Sequence, residues 1–94
     1  MKVVFLKSAT PGLRWFHHYY ARVFPEGRKK ANEHFVKMQK NLVAAPFAGS
    51  PVGSAGSRNY SIPRTPFSVI YRVVPGAVEI LHVIDQRAQP MEIL

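Results

Sequence analysis

Ninety-four residues, 47% of them hydrophobic and 12% aromatic, suffice for one core and leave no room for a second, so a single domain over residues 1–94 is expected. The chain has no cysteine, which excludes a disulfide scaffold and leaves a zinc site only histidine and carboxylate ligands. Its formal charge of +8 is uneven: residues 1–47 carry nine Lys/Arg against Glu26 and Glu33, whereas residues 48–94 carry four arginines against Glu79, Asp85 and Glu92. A field of that sign favours nucleic acid, an acidic protein or an anionic surface as partner. Nothing approaches the ~18 apolar residues of a membrane span, and the apolar run Val3–Leu6 is too short for a signal peptide, so a cytoplasmic protein without a membrane partner is expected.

In chain order, Lys2–Lys7 reads as a strand, because Val3, Val4 and Phe5 are strand-preferring. Thr10 is placed to cap a helix and Pro11 fits its first turn. Leu13, Phe16, His17, Tyr20 and Phe24 then recur at helical spacing, with Arg14, His18 and Arg22 outside the stripe. Pro25 stops this helix, Glu26-Gly27 turns the chain, and a second helix runs from about Arg28 to Ala45 on the stripe Ala31, Phe35, Met38 and Leu42. A turn that short predicts an antiparallel helical hairpin with Phe16, Tyr20, Phe35 and Met38 in its core. Residues 46–57, rich in Gly, Pro and Ser, read as a surface loop. Arg58–Ile62 resumes a strand, and 67–74 and 78–84 are the clearest strands, separated by the turn signal Pro75-Gly76. The fold class expected is α+β, an N-terminal strand and the helical hairpin packed on a mostly antiparallel sheet of about four strands.

The last hairpin has a testable register. With Pro75-Gly76 at its centre, Arg72 faces Glu79, Tyr71 faces Ile80 and Val69 faces His82. Proline is a poor first residue for the preferred two-residue hairpin turns, so a four-residue loop is expected.

Chemistry-bearing motifs are few. His17 and His18 diverge by roughly 100° on a helix and do not share a metal, and His17 falls on the apolar stripe as a core histidine. No cofactor or metal site is expected: there is no phosphate-cradling glycine motif, nucleophile elbow or paired-carboxylate arrangement. What remains is the arginine set Arg58, Arg64, Arg72 and Arg87, with Tyr60, Tyr71 and His82 near it in sequence. Guanidinium forks match phosphate and carboxylate bidentately, and His82 is the one evident general base if such a set cut RNA. Arg72 equally suits a cross-strand pair with Glu79.

The order strand, helical hairpin, Gly/Pro loop, then Phe67–Val73 and Val78–Ile84, resembles the RelE/ParE toxins of type II toxin–antitoxin modules. The likeness covers almost the whole chain and is most specific over residues 57–87, where Tyr-Arg-Val, the turn, Val-Glu-Ile-Leu and Arg87 recur. It implies a toxin neutralised by a cognate antitoxin whose acidic, apolar C-terminal segment wraps its helices and sheet. RelE-like members cleave mRNA on the ribosome, whereas ParE-like members inhibit DNA gyrase. RelE-like chains carry lysines before the Tyr-containing strand; here that stretch is Asn59–Arg64, without lysine, and no tyrosine follows Tyr71. After the last strand, Asp85–Pro90 lacks the arginine–aspartate pair usual in ParE-like chains. The resemblance therefore implies a ParE-like gyrase inhibitor, not an enzyme, with Arg58, Arg64, His82 and Arg87 as target-binding candidates. The alternative is a RelE-like ribosome-dependent endoribonuclease using the same four residues catalytically.

Overall fold

The computed structural model describes residues 1–88. Its strand-preferring start forms β1 (Lys2–Phe5), and a short 3₁₀ turn (Lys7–Ala9) leads into α1 (Thr10–His18). Thr10 makes no capping hydrogen bond, because the 3₁₀ turn already supplies the helix entry. Pro11 sits in the first turn as expected. Beyond His18 the helix widens into a π-type turn over Tyr19–Val23, closed by the Phe24 N–H donating to the Tyr19 carbonyl (2.8 Å). Here Tyr19 and Tyr20 both approach Phe67, at 5.9 and 6.1 Å between ring centroids. Pro25–Gly27 turns the chain into α2 (Arg28–Ala44), which ends just before Pro46.

Inside the segment expected to be loop lies β2 (Ser50–Val52), followed by β3 (Ser57–Ser61), β4 (Phe67–Val74) and β5 (Ala77–Asp85). The sheet therefore has five strands, ordered β1-β5-β4-β3-β2, with β1 parallel to β5 and the other pairings antiparallel. Sequence periodicity missed β2 because all three of its residues are exposed and the strand contains Pro51. Proline is tolerated there because β2 is an edge strand.

Both helices cover one face of this sheet. Phe16 meets Phe35 across the hairpin at 5.0 Å and Phe67 on the sheet at 4.9 Å, while Phe5 of β1 stacks on Phe35 at 5.8 Å. Met38, Leu42, Val69, Tyr71, Val78 and Ile80 complete the core, each fully buried. Large apolar side chains buried this way stabilise the fold by about 1.5–3 kcal/mol apiece before chain entropy is counted. His17, expected in this core, is exposed, and so is Phe24 at the end of the stripe. The π-type turn offsets the helical phase before Phe24, and the stripe goes inward through the buried Phe16 and Tyr20 and the partly buried Leu13.

The β4–β5 register agrees with expectation near the turn, where Arg72 faces Glu79 and Tyr71 faces Ile80. The loop is only Pro75-Gly76, since Val74 already pairs with Ala77. Gly76 has φ 80°, the left-handed second position that a proline-first type II turn requires. An irregularity between Ile70 and Tyr71 then moves His82 opposite Ile70 instead of Val69. That extra residue turns Val83 inward and leaves His82 exposed.

Candidate functional site

β1 pairs with β5 only as far as Phe5–Ile80, so the second half of β5 has no strand on that side. The chain entering α1 occupies this edge: Leu6 N–H donates to the Ile80 carbonyl (3.0 Å) and Ser8 Oγ to the Leu81 carbonyl (2.5 Å). Gly12 makes the approach possible, since a Cβ there would lie 1.9 Å from the Val83 carbonyl oxygen. So close a crossing brings Trp15 and Tyr19, one helical turn apart, over the end of β5.

There they meet a charge cluster. Trp15 Nε1 donates to Asp85 Oδ2 (2.7 Å), and Arg87 grips the same carboxylate with Nε and one terminal nitrogen (2.9 and 2.8 Å). The Arg87 backbone N–H donates to Asp85 Oδ1 (3.1 Å). The other guanidinium nitrogen donates to the Tyr19 hydroxyl (2.9 Å), and the guanidinium carbon lies 4.4 Å from the Tyr19 ring centroid. The Arg87 hydrogen bonds hold the Asp85 carboxyl down at about 2, outweighing burial, which acts the other way; the Trp15 hydrogen bond adds to the lowering. The Arg87 pKa moves up in turn, chiefly through the Asp85 hydrogen bond. Burial raises the Tyr20 phenol, with Tyr19 contributing. An arginine–aspartate pair thus spans the end of the last strand, where sequence reading found none beyond it, because Asp85 is the strand's own last residue. Gln89 and Pro90 of that stretch lie outside the described residues.

The four sequence candidates occupy different surroundings. Arg58, on β3, donates to the Phe47 and Gly49 carbonyls (3.2 and 2.7 Å) and lies over the Phe47 ring at 5.1 Å, fastening residues 47–49 to the sheet. Arg64 sits in the β3–β4 turn at φ 62° and lines a cleft against α2. His82 lines a shallow depression with Ser8, Trp15 and Asp85. His82 and Arg87 are therefore joined through Trp15 and Asp85, whereas Arg58 lies two strands away and Arg64 faces the hairpin. Trp15, Tyr19 and Asp85 were missed as site residues. An exposed tryptophan on a helix, with an aspartate ending a strand, was the available signal. Arg72 is paired with Glu79 (2.7 Å) as anticipated. Tyr71 belongs to the core, its hydroxyl accepting from Gly49 N–H (2.9 Å) and donating to the Pro46 carbonyl (2.7 Å). Among the described residues no three His, Asp or Glu side chains cluster as metal ligands, and His18 stacks on Trp15 at 5.5 Å. No described helix is long and apolar enough to cross a membrane.

No protein-family model matches this chain, and no curated protein does. Among solved structures, a chain of the chromosomal ParDE TA system from P. aeruginosa matches with a TM-score of 0.69 at 31% identity, over 90% of this chain and 95% of that one. This chain belongs to the RelE/ParE toxin family. Identity at that level across nearly the whole of both chains places it on the ParE-like side, as a toxin of the type II class. The ParE-like fold accounts for the hairpin-on-sheet architecture described above.

Proposed function

We propose that this ParE-like chain arrests growth by binding DNA gyrase, without catalysis, and that a cognate antitoxin with an acidic, apolar C-terminal segment neutralises it in the cytoplasm. The observation that carries the reading is the 31% identity, spanning 90% of the chain, to a chain of a ParDE TA system. Two features of the surface support it. Between α1 and α2 an open groove is lined by the buried or partly buried Leu13, Phe16 and Phe35 and by Arg14, Arg22 and the two adjacent histidines. An amphipathic acidic segment matches both the apolar lining and the charge.

The second feature is the end of β5, where His82 and Arg87 flank Trp15. This is the surface proposed to meet the target, with Arg64 as an outlying contact. Arg58, its guanidinium committed to two main-chain carbonyls, acts through the loop it fastens. A ribonuclease would need these cations and the His82 base around one phosphate, and their separate surroundings weigh against that. The purified toxin is expected to inhibit supercoiling by gyrase and to leave ribosome-bound mRNA intact. Codon-specific cleavage in a toeprint assay, abolished by His82→Ala, would replace this reading with the endoribonuclease.

A further inference from the structure

On the other side of the hairpin from the antitoxin groove lies a cleft of about 670 Å³, between the first turns of α2, the end of the π-type turn and the β3–β4 turn. Its volume is that of a small-molecule site. Three kinds of group line it, and they differ in what they can recognise. Lys30, Lys37 and Arg64 supply cations; Glu26 and Glu33 supply carboxylates; Phe24 supplies an aromatic wall. Among the described residues none of these cations lies within ion-pair distance of a carboxylate, since the ion pairs are Arg72–Glu79 and Arg87–Asp85. Phe24 rests on Gly27, where a Cβ would come within 2.4 Å of the ring, yet the residue remains 46% exposed.

Arg64 is the unusual member. It is the only non-glycine residue at positive φ among those described. A left-handed arginine costs about 1–2 kcal/mol relative to the ordinary helical conformation, and glycine or asparagine would serve the turn with less strain. The turn holds it firmly: Ile62 N–H donates to the Phe67 carbonyl (2.9 Å), Thr65 N–H and Oγ1 donate to the Ile62 carbonyl (3.3 and 3.0 Å), and Phe67 N–H donates to Thr65 Oγ1 (3.0 Å). These bonds hold the turn's backbone and place Arg64 along the cleft, at a position where glycine would serve the turn at lower conformational cost.

We propose that this cleft binds a ribonucleotide: its phosphate on Arg64, Lys30 and Lys37, its ribose hydroxyls on Glu26 or Glu33, and its base against Phe24. Cations alone would suit any anion, but two carboxylates beside them penalise a bare phosphate or an acidic peptide. A vicinal diol, which donates hydrogen bonds, turns those carboxylates into partners. Base stacking on an exposed ring supplies the remaining affinity. The ligand's chemistry is that of a free ribonucleotide or of one residue in a single-stranded RNA. The cleft shares only Arg64 with the surface proposed to meet gyrase, since its lining excludes His82, Trp15 and Arg87.

The test is titration of the full chain with AMP, dAMP, inorganic phosphate, a short single-stranded RNA and an acidic peptide, followed by amide chemical shifts. Saturable AMP binding with shifts at Phe24, Lys30 and Arg64 is expected, weaker for dAMP and weakest for phosphate. Arg64→Gly is expected to reduce AMP affinity by about tenfold or more, the loss of one charge-assisted hydrogen bond, while leaving the melting temperature unchanged or higher. RNA binding much tighter than AMP identifies a strand as the source; equal affinity identifies the free nucleotide. Wild-type affinity in Arg64→Gly, equal binding of AMP, dAMP and phosphate, stronger binding of the acidic peptide, or no saturable binding at millimolar AMP each overturns the proposal.

Discussion

Replacing Asp85 by Asn isolates the charge cluster that ties α1 to the end of β5. The side chain of Asp85 is only 9% exposed, and its pKa falls from 3.8 to about 2. A shift of that size corresponds to about 2.4 kcal/mol of preferential interaction with the ionised form. The Arg87 side chain is 48% exposed, so solvent screening reduces this to about 1–2 kcal/mol. The sign follows from linkage. A carboxyl whose folded-state pKa is depressed contributes its full stability above the unfolded value near 4, and loses it as pH falls towards 2. Asp85→Asn is therefore expected to be less stable than the parent by about 1–2 kcal/mol at pH 7, or about 4–8 °C per kcal/mol in a domain of this size. The gap should close between pH 4 and pH 2, where the parent's Asp85 also becomes neutral. Thermal unfolding of both proteins at pH 6, 4, 3 and 2, followed by far-UV circular dichroism, measures it. The fluorescence of Trp15, the chain's one tryptophan and a direct donor to this carboxylate, reports the same change locally. A stability difference that stays constant from pH 6 to pH 2 would refute the assignment of this energy to the Asp85 charge.

Three further outcomes follow from other contacts. Gly12→Ala gains about 1 kcal/mol of helix propensity but drives a Cβ to 1.9 Å from the Val83 carbonyl oxygen; overpacking against backbone costs about 1–3 kcal/mol or more, so the urea midpoint should fall, and a midpoint at or above the parent's contradicts the packing argument. Tyr71→Phe leaves the Gly49 N–H and Pro46 carbonyl without their partner at a buried site, and a loss of about 2–3 kcal/mol in equilibrium unfolding is expected, with a loss under about 0.5 kcal/mol arguing that neither bond matters. The Arg72–Glu79 pair, with side chains 48% and 23% exposed, should show a coupling of no more than about 1 kcal/mol in a double-mutant cycle, fading in 1 M salt.

Local rules determined the elements here. Strand-preferring runs, two amphipathic stripes and the prolines at 25 and 46 specify the order of strands and helices, because each depends on residues close in sequence. The Arg72–Glu79 and Tyr71–Ile80 pairs were legible for the same reason, lying within a few residues of a glycine-containing turn. The family resemblance carried the toxin class. Tertiary structure decided what local pattern could not. β2 exists because β3 offers it an edge; its own sequence, Ser-Pro-Val, has no periodicity to read. One irregularity beside Tyr71 re-aimed His82, and nothing in the apolar alternation marks where a strand gains a residue. The cluster of Trp15, Tyr19, Asp85 and Arg87 joins groups about seventy positions apart, and the contact arises only because β1 stops short and lets α1 lie against the bare edge of β5. Arg58 and Arg64 looked like one set in sequence; the sheet turns the first towards the loop it fastens and the second towards α2. Which side chains converge depends on strand order and twist, energies summed over the whole core, and those are properties of the folded chain.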